Sequence, residues 1–174
     1  MNILLGVTAS VAIYKSCELT RLLIKKGHSV RVVLSKNAAA WISPVLFSAL
    51  SEQKAYSGHE EADMPMAHID LRNNIDLFLT APATADLIAR ASIGRADELL
   101  TTLLLSYDGK KVLAPAMNPN MYKSPQVQKN IATLKNFGYY IIEPSEGESL
   151  CRETGEGRMA AVEEIVDYIE KQRN

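Results

Sequence analysis

The sequence predicts a doubly wound α/β fold, in which helices cover both faces of a parallel sheet to form a single-domain, three-layer sandwich. Two observations predict it. Short apolar segments rich in β-branched residues alternate with helical segments along all 174 residues, and this alternation is typical of parallel sheets. No linker, repeat or low-complexity segment divides the sequence, and a chain of this length forms one domain with one sizeable core by default.

The predicted elements follow from hydrophobic periodicity and from turn residues. The predicted strands cover residues 2–8, 30–34, 75–80, 111–114 and 139–142. The predicted helices cover residues 11–26, 37–42, 44–50, 84–93, 96–106, 124–137 and 160–171. Ser10 is the predicted N-cap of the first helix, and Gly27 ends that helix. The first strand, helix and strand therefore form a βαβ unit with parallel pairing and a right-handed crossover.

Two longer segments lack periodicity. Residues 51–66 are polar and irregular and hold Gly58 and Pro65, so they are the predicted mobile insertion. Residues 143–157 carry three glycines and five glutamates. They are predicted to form a surface loop or flap, long enough to be suspected of function.

The composition excludes several classes of function. Lys plus Arg number 19 against 20 for Asp plus Glu, so no net field draws the chain to nucleic acid or to an anionic membrane. Cys17 and Cys151 are too few for a disulfide framework and lack the spacing of a zinc site, which indicates a reduced, cytoplasmic compartment and no metal. The N-terminus lacks the basic region of a signal peptide, and no stretch approaches the roughly 18 apolar residues of a membrane span.

The turn after the first strand is suited to binding an anion. It reads Gly-Val-Thr-Ala-Ser-Val-Ala at residues 6–12, where small residues allow close approach and a helix start offers free N–H groups. Thr8 and Ser10 add hydroxyl donors. Neither a G-x-G-x-x-G motif nor a Walker lysine is present, so a mononucleotide such as FMN fits better than NAD or ATP. The alternative is that Ser10 only caps a helix.

Small polar residues also follow three later strands. Ser35, Lys36 and Asn37 come after the second strand, residues 81–86 (Ala-Pro-Ala-Thr-Ala-Asp) after the third, and Asn118 after the fourth. Because open α/β sheets bind ligands at the carboxyl ends of their strands, these residues are candidates for a common site. Each of them could instead be an ordinary helix cap or turn residue.

Two residues are candidates for acid–base chemistry. His68 lies in Ala-His-Ile-Asp-Leu directly after the irregular insertion, and a neutral imidazole can accept a proton near pH 7. His28, in a Gly-His-Ser turn, and His59, in the insertion, lack apolar surroundings that would tune them. Cys151 lies in the polar flap, whereas Cys17 is on the apolar side of the first helix, as structural cysteines are. A structural role is the alternative for His68.

Five motifs resemble the flavin-dependent cysteine decarboxylase family. They are Gly-x-Thr-x-Ser-x-Ala-x-x-Lys at 6–15, His-Ile-x-Leu at 68–71, Pro-x-Thr-Ala-Asp at 82–86, Pro-Ala-Met-Asn-x-x-Met at 115–121 and a flap ending in Gly-x-Gly-Arg-Met at 155–159. Ser149 or Leu150, and Arg152, depart from the small residues usual beside the flap cysteine of that family. The resemblance covers nearly the whole chain and implies a Rossmann-like or flavodoxin-like sandwich.

The resemblance also implies an activity and the residues that carry it. The implied reaction is the FMN-dependent oxidative decarboxylation of 4'-phosphopantothenoylcysteine to 4'-phosphopantetheine in coenzyme A biosynthesis. In that scheme His68 is the base and Cys151 is the proton donor of the final reduction. The residues implied to bind the substrate are Asn118, Met121 and Arg158. The residues implied to hold FMN are Ala9, Ser10, Val11, Ser35, Lys36, Asn37, Thr84, Ala85, Asp86, Leu87 and Ala116.

Two alternatives within the family remain open. Relatives that decarboxylate the terminal cysteine of a lantibiotic peptide share the histidine and the asparagine but lack the flap cysteine, so Cys151 favours the small-molecule substrate. A non-catalytic, FMN-binding regulatory relative would have lost one of the three residues.

The resemblance further implies the partners of the chain. Relatives form their site between neighbouring subunits, which implies a homotrimer or a dodecamer of trimers. Many bacterial relatives carry a fused ligase domain that these 174 residues lack, so the resemblance implies a separate phosphopantothenate–cysteine ligase.

Overall fold

A parallel sheet with the strand order β3-β2-β1-β4-β5-β6 forms the centre of the protein. The structure is a computed structural model, and it describes residues 1–57, 66–148 and 154–173. The strands are β1 (Asn2–Val7), β2 (Ser29–Leu34), β3 (Tyr56–Ser57), β4 (Leu77–Ala83), β5 (Lys110–Pro115) and β6 (Tyr140–Ile141). All of their pairings are parallel. The order reverses between β1 and β4, and a crevice opens at the carboxyl ends of the strands at such a point.

Helices cover both faces of the sheet, as predicted. They are α1 (Ile13–Lys25), α2 (Lys36–Trp41), α3 (Pro44–Ser51), α4 (Ala67–Arg72), α5 (Ala85–Ser92), α6 (Leu99–Ser106), α7 (Pro119–Lys123), α8 (Pro125–Asn136) and α9 (Val162–Glu170). Ile3 and Leu5 of β1 pack with α1, α3 and α9 in one core, and Leu4 packs with α4, α5, α6 and α8 in the other. The central strands are buried on both faces, which explains their continuous apolar sequences.

The start of α1 differs from the prediction. The helix begins at Ile13, and Ser10 is not its N-cap. Instead, the Ser10 carbonyl accepts from the N–H of Ile13 at 2.9 Å, and its Oγ accepts from the N–H of Ala12 at 3.2 Å. Ser10 therefore closes a separate turn between β1 and α1.

Two other element boundaries differ from the prediction, each for a local reason that periodicity does not reveal. Helix α6 begins at Leu99 and not at residue 96, because Glu98 is extended and its N–H donates to Oγ1 of Thr101. Strand β4 continues past residue 80 through Pro82. It holds one extra residue relative to β5 between Thr80 and Ala83, and such a bulge accommodates a proline, which has no N–H for the ladder.

The environment of His28 also differs from the expectation. The side chain is buried, and its Nε2 lies 2.6 Å from Oε1 of Glu170 on α9. Burial lowers the pKa of His28 and outweighs the opposing effect of the Glu170 carboxylate. This histidine therefore ties α9 to the end of α1 and lies away from the carboxyl ends of the strands.

An antiparallel hairpin replaces much of the predicted loop at residues 143–157. Strand β7 (Ser145–Glu148) pairs with β8 (Thr154–Arg158), while Cys151 lies outside the described residues. Gly157 of β8 has a φ of +146°, and a Cβ there would lie 2.6 Å from the carbonyl oxygen of Met117. The N–H of Met117 donates to the Gly157 carbonyl at 2.9 Å. The hairpin therefore docks by backbone contact on the loop that follows β5.

None of the helices in the described part of the chain has the length and apolarity needed to cross a lipid bilayer.

The docking of the hairpin can be tested by substituting Gly157. Gly157→Ala should lower the free energy of unfolding by about 2–4 kcal/mol, because it adds a clash with a backbone carbonyl to the strain of a positive φ. Gly138→Ala is the control, since Gly138 has a φ of +84° but open space around a Cβ. It should cost about 1–2 kcal/mol. Denaturant unfolding measures both, and equal costs would show that the hairpin is not tightly docked.

Candidate active site

A cavity of about 360 Å³ opens where the sheet order reverses. Four loops form its wall, and each follows the carboxyl end of one strand: β1, β2, β4 or β5. The lining residues are Thr8, Ala9, Ser10, Val11, Ser35, Asn37, Trp41, Thr84, Ala85, Asp86, Arg90, Ala116, Met117 and Met121. The volume is typical of a site for a cofactor or another small molecule.

Most of the residues predicted to hold a cofactor lie in this wall, but Lys36 and Leu87 do not. The side chain of Leu87 is fully buried in the second core, and its N–H donates to Oγ1 of Thr84 at 3.4 Å. The N–H of Lys36 donates to Oε2 of Glu98 at 2.8 Å. Both residues therefore stabilise the conformation of a loop in the wall without facing the cavity.

Sequence reasoning missed Trp41, Arg90 and Met117 as parts of the wall. Trp41 is the lone tryptophan of the chain, and it is 60% exposed. A large exposed aromatic residue is a signal for binding, but the sequence does not reveal its exposure. Arg90 follows Asp86 by one helical turn, and this spacing could have indicated an ion pair.

The Thr8 hydroxyl joins the ends of β1 and β4. Its Oγ1 donates to the carbonyl of Pro82 at 2.7 Å and accepts from the N–H of Thr84 at 3.2 Å. Ser16 of α1 donates to the neighbouring carbonyl of Ala81 at 2.8 Å. Thr8 and Ser16 are both buried, so these bonds hold two of the four cavity loops in a fixed relative position.

The turn between β1 and α1 presents unused donors to the cavity. Within the described residues, the N–H groups of Ala9, Ser10 and Val11 have no hydrogen-bond partner. They lie just before the start of α1, whose dipole places partial positive charge there. The turn can therefore bind an anion such as a phosphate, as the sequence predicted.

Arg90, in the part of the wall that follows β4, is surrounded by carboxylates. Its Nη1 lies 2.7 Å from Oε1 of Glu98 and 3.0 Å from Oδ1 of Asp97, and its Nη2 lies 2.8 Å from Oδ2 of Asp86. Burial would lower the pKa of Arg90, but its hydrogen bonds to Glu98 and Asp97 raise it above the ordinary value. Because these carboxylates neutralise Arg90, it is a weak attractor for a phosphate, and the turn at Ala9 is the better anion site.

The loop carrying Asn118 lies at the edge of the cavity. Met117 and Met121 line the cavity on either side of Asn118 in sequence, but Asn118 itself is not among the lining residues. Its Oδ1 accepts from the N–H of Asn120 at 2.7 Å and so caps α7. The cap uses the oxygen end of the amide and fixes the orientation of the side chain.

Arg158 lies on β8, beside the same loop, and is exposed. It does not line the cavity. Its neighbour Lys15 contacts the Met159 carbonyl at 3.4 Å. Burial, and next the charge of Arg158, lower the pKa of Lys15. Two cations are thus held close together where the hairpin meets α1.

One of the two predicted catalytic residues, His68, is not part of the cavity wall. His68 lies on α4, is partly exposed and does not line the cavity of its own chain. Cys151 lies outside the described residues. Cys17 is partly buried against the first core, and burial raises the pKa of its thiol, as expected of a structural cysteine. Residues 1–57, 66–148 and 154–173 hold no cluster of three or more side chains suited to a metal ion.

Comparison with known proteins shows which proteins the chain resembles. The chain is 41% identical over 172 residues to the coenzyme A biosynthesis bifunctional protein CoaBC of Bacillus subtilis, covering 98% of this chain but 42% of that protein. It therefore spans about two fifths of that relative's length. It is 40% identical over 175 residues to the probable phosphopantothenoylcysteine decarboxylase of Streptococcus mutans, with 98% of both chains covered.

A solved structure has the same fold. It is a PPC decarboxylase in complex with pantothenoylaminoethenethiol, with a TM-score of 0.87 and 24% identity over 98% of this chain and 96% of the other. The model of one protein family, named Flavoprotein, matches residues 1–174. The chain belongs to the flavoprotein family.

Proposed function

We propose that this protein binds FMN and catalyses the oxidative decarboxylation of 4'-phosphopantothenoylcysteine to 4'-phosphopantetheine. The main support is the contact between the hairpin and the loop after β5. Residues 149–153 connect the strands of that hairpin, and Gly157 of the hairpin packs on Met117 beside Asn118. Strand β8, which follows Cys151 in sequence, is therefore anchored next to Asn118 at the edge of the cavity. The similarity to the Streptococcus mutans protein over both full lengths supports the same substrate.

The donors of the cavity fit FMN. The three consecutive free N–H donors at Ala9, Ser10 and Val11 suit one phosphate. Hydroxyls of Ser35 and Thr84, with the Asn37 amide and the Asp86 carboxylate, suit a ribityl chain and the polar edge of a ring. Ala85, Ala116 and Met117 supply small or adaptable apolar contacts for the ring faces.

The reaction needs an electron sink, because a cysteine amide has no carbonyl β to its carboxylate. FMN bound in the cavity would supply the oxidising power that converts the carbon bearing the thiol to a thiocarbonyl, and this group would hold the electrons left by CO₂. In our proposal His68 accepts the thiol proton. The Asn118 amide orients the substrate carboxylate by donating from its nitrogen end. Cys151 donates a proton in the final reduction, and Met121 and Arg158 hold the remainder of the substrate beneath the flap.

A peptidyl-cysteine decarboxylase is the second candidate. Relatives of that kind resemble this chain at the histidine and the asparagine but lack the flap cysteine. Cys151 therefore favours the small-molecule substrate, because a proton donor is needed when the product is reduced. A regulatory FMN-binding protein without activity is less well supported, since His68, Asn118 and Cys151 are all present.

The site is proposed to be completed by a second copy of the chain within a homotrimer or a dodecamer of trimers. His68 lies on α4, outside the cavity of its own chain. Large apolar side chains around α4 and α6 are exposed, among them Met66 at 56% and Leu105 at 58%. Burying such side chains against a neighbouring copy is favourable, and it would place His68 at an interface. A phosphopantothenate–cysteine ligase is the proposed pathway partner.

The purified protein is expected to be yellow and to release FMN. In a fluorescence titration of the apoprotein, FMN should bind at least about 10-fold more tightly than riboflavin. Riboflavin has no phosphate and therefore cannot make the charged contacts with residues 9–11. FAD should bind more weakly than FMN, since the turn accepts one terminal phosphate. A colourless protein that takes up neither flavin would refute flavin binding.

Asn118→Asp isolates the donor role of the amide. Aspartate keeps an oxygen to cap α7 but replaces the donating nitrogen with a second acceptor. We expect unchanged FMN binding and a fall in kcat/KM of at least about 10-fold, because two carboxylates would meet in a partly dry site. Asn120→Asp is the control, since it adds the same charge at an exposed position of the same turn. Equal turnover by both variants would show that Asn118 is only a capping residue.

Cys151→Ser and His68→Asn should block different halves of the reaction. Because a hydroxyl is a far weaker acid than a thiol of pKa about 8.5, Cys151→Ser should oxidise and decarboxylate the substrate and then stop with the flavin reduced. His68→Asn should leave the flavin oxidised. Anaerobic absorbance and product mass distinguish the two outcomes, and Cys17→Ser is the control for loss of a thiol. Normal formation of 4'-phosphopantetheine by Cys151→Ser would favour the peptide decarboxylase.

The same two variants test whether each active site combines residues of two copies of the chain. If each site combines residues of two copies, subunits unfolded and refolded together from both variants should regain part of the activity. No gain, with mixed oligomers present by mass spectrometry, would show that His68 and Cys151 act within one chain.

A further inference from the structure

Glu98 is a buried carboxylate that the proposed reaction does not use. Its side chain is 5% exposed and lies at the N-cap of α6. Oε1 accepts from Nη1 of Arg90 at 2.7 Å, and Oε2 accepts from the backbone N–H of Lys36 at 2.8 Å. Each oxygen of the carboxylate therefore has a different partner.

The two partners belong to different walls of the cavity. Lys36 lies between Ser35 and Asn37, which line the cavity from the loop after β2, whereas Arg90 lines it from α5. The two walls also pack on opposite faces of the sheet. Helix α2 contributes Ala38 to the first core, and α5 contributes Leu87 to the second. Glu98 is not itself a lining residue, yet it connects both walls from behind.

The contact with Glu98 is the strongest of the three that hold Arg90 in place. Asp86 and Asp97 also pair with Arg90, but their side chains are 68% and 37% exposed. Exposed pairs contribute little, since water competes for both charges. A buried, charge-assisted hydrogen bond contributes more and fixes geometry. The position of Arg90 in the cavity wall therefore depends mainly on Glu98.

We propose that Glu98 is a positioning residue of the cofactor cavity, which sets the distance between the α2 wall and the α5 wall so that both contact one flavin. The inference rests on the proposed binding of FMN. It assigns no chemical step to Glu98. It predicts that flavin affinity depends on having two acceptor atoms at this position.

Glu98→Gln tests this with almost no change in shape. A glutamine amide has one acceptor and one donor end, so it can satisfy either Arg90 or Lys36 but would turn an N–H toward the other. We expect the Kd for FMN, measured by quenching of flavin fluorescence in the apoprotein, to rise by about 10- to 100-fold, as for loss of one buried charge-assisted hydrogen bond. The visible circular dichroism of flavin bound at saturation should also change, because the two walls would contact it differently.

Asp97→Asn is the matched control. It removes the charge of a carboxylate that also contacts Arg90, but at an exposed position without a contact to Lys36. Its Kd for FMN and its flavin spectrum should stay within about twofold of the wild type, because water can replace the lost contact.

Arg90→Lys provides a second test if Glu98→Gln unfolds. A lysine keeps the charge among the carboxylates but cannot bridge several of them in the planar geometry of a guanidinium. It should raise the Kd for FMN in the same direction. Far-ultraviolet circular dichroism of each apoprotein identifies variants that remain folded.

The outcomes separate this inference from the proposed function. Wild-type apoprotein that does not bind FMN would overturn the proposed function. Wild-type protein that binds FMN, with Glu98→Gln or a folded Arg90→Lys binding it within twofold and with an unchanged flavin spectrum, would overturn the role of Glu98 alone.

Discussion

The site depends on the hydrogen bonds of Thr8, a buried hydroxyl at the point where the strand order reverses. In a doubly wound sheet the loops after β1 and β4 diverge to opposite faces, and the crevice between them is the usual place for a ligand. Thr8 donates to the carbonyl of Pro82 near the end of β4 and accepts from an N–H two residues further on. A hydroxyl can do both, which an ammonium or a methyl group cannot. Loss of this side chain would leave buried backbone groups unpaired.

The other loops are held in place by contacts of the same kind. Glu98 joins the loop after β2 to α5 through two oxygens, and Gly157 brings the hairpin against the loop after β5 without a side chain between them. The cavity thus has a rigid frame made from one hydroxyl, one carboxylate and one glycine. The surface that faces the cavity is mostly apolar, with polar groups at the strand ends, which suits a large, flat cofactor.

Residues that act in local structure were predictable from their neighbours in sequence. The alternation of segments predicted the layers, and the small polar residues at strand ends predicted most of the cavity wall, including Ala9, Thr84 and Ala116. Where local hydrogen bonds compete with periodicity, the observed start of a helix differs from the predicted start by a few residues, as at Ser10 and Glu98. The hairpin was missed because its two strands have glycines and glutamates where alternating apolar residues would indicate a sheet.

The sequence alone determined the layered fold, the strand-end position of the site and the resemblance that names His68, Asn118 and Cys151, because these rest on periodicity and on residue order. Only the tertiary structure decided that Arg90 and Trp41 line the cavity. It also decided that Glu98 bridges two walls and that His68 lies outside the cavity of its own chain. These features join residues far apart in sequence, such as Lys36 and Glu98. Their meeting depends on how the helices pack on the two faces of the sheet, which no local pattern records.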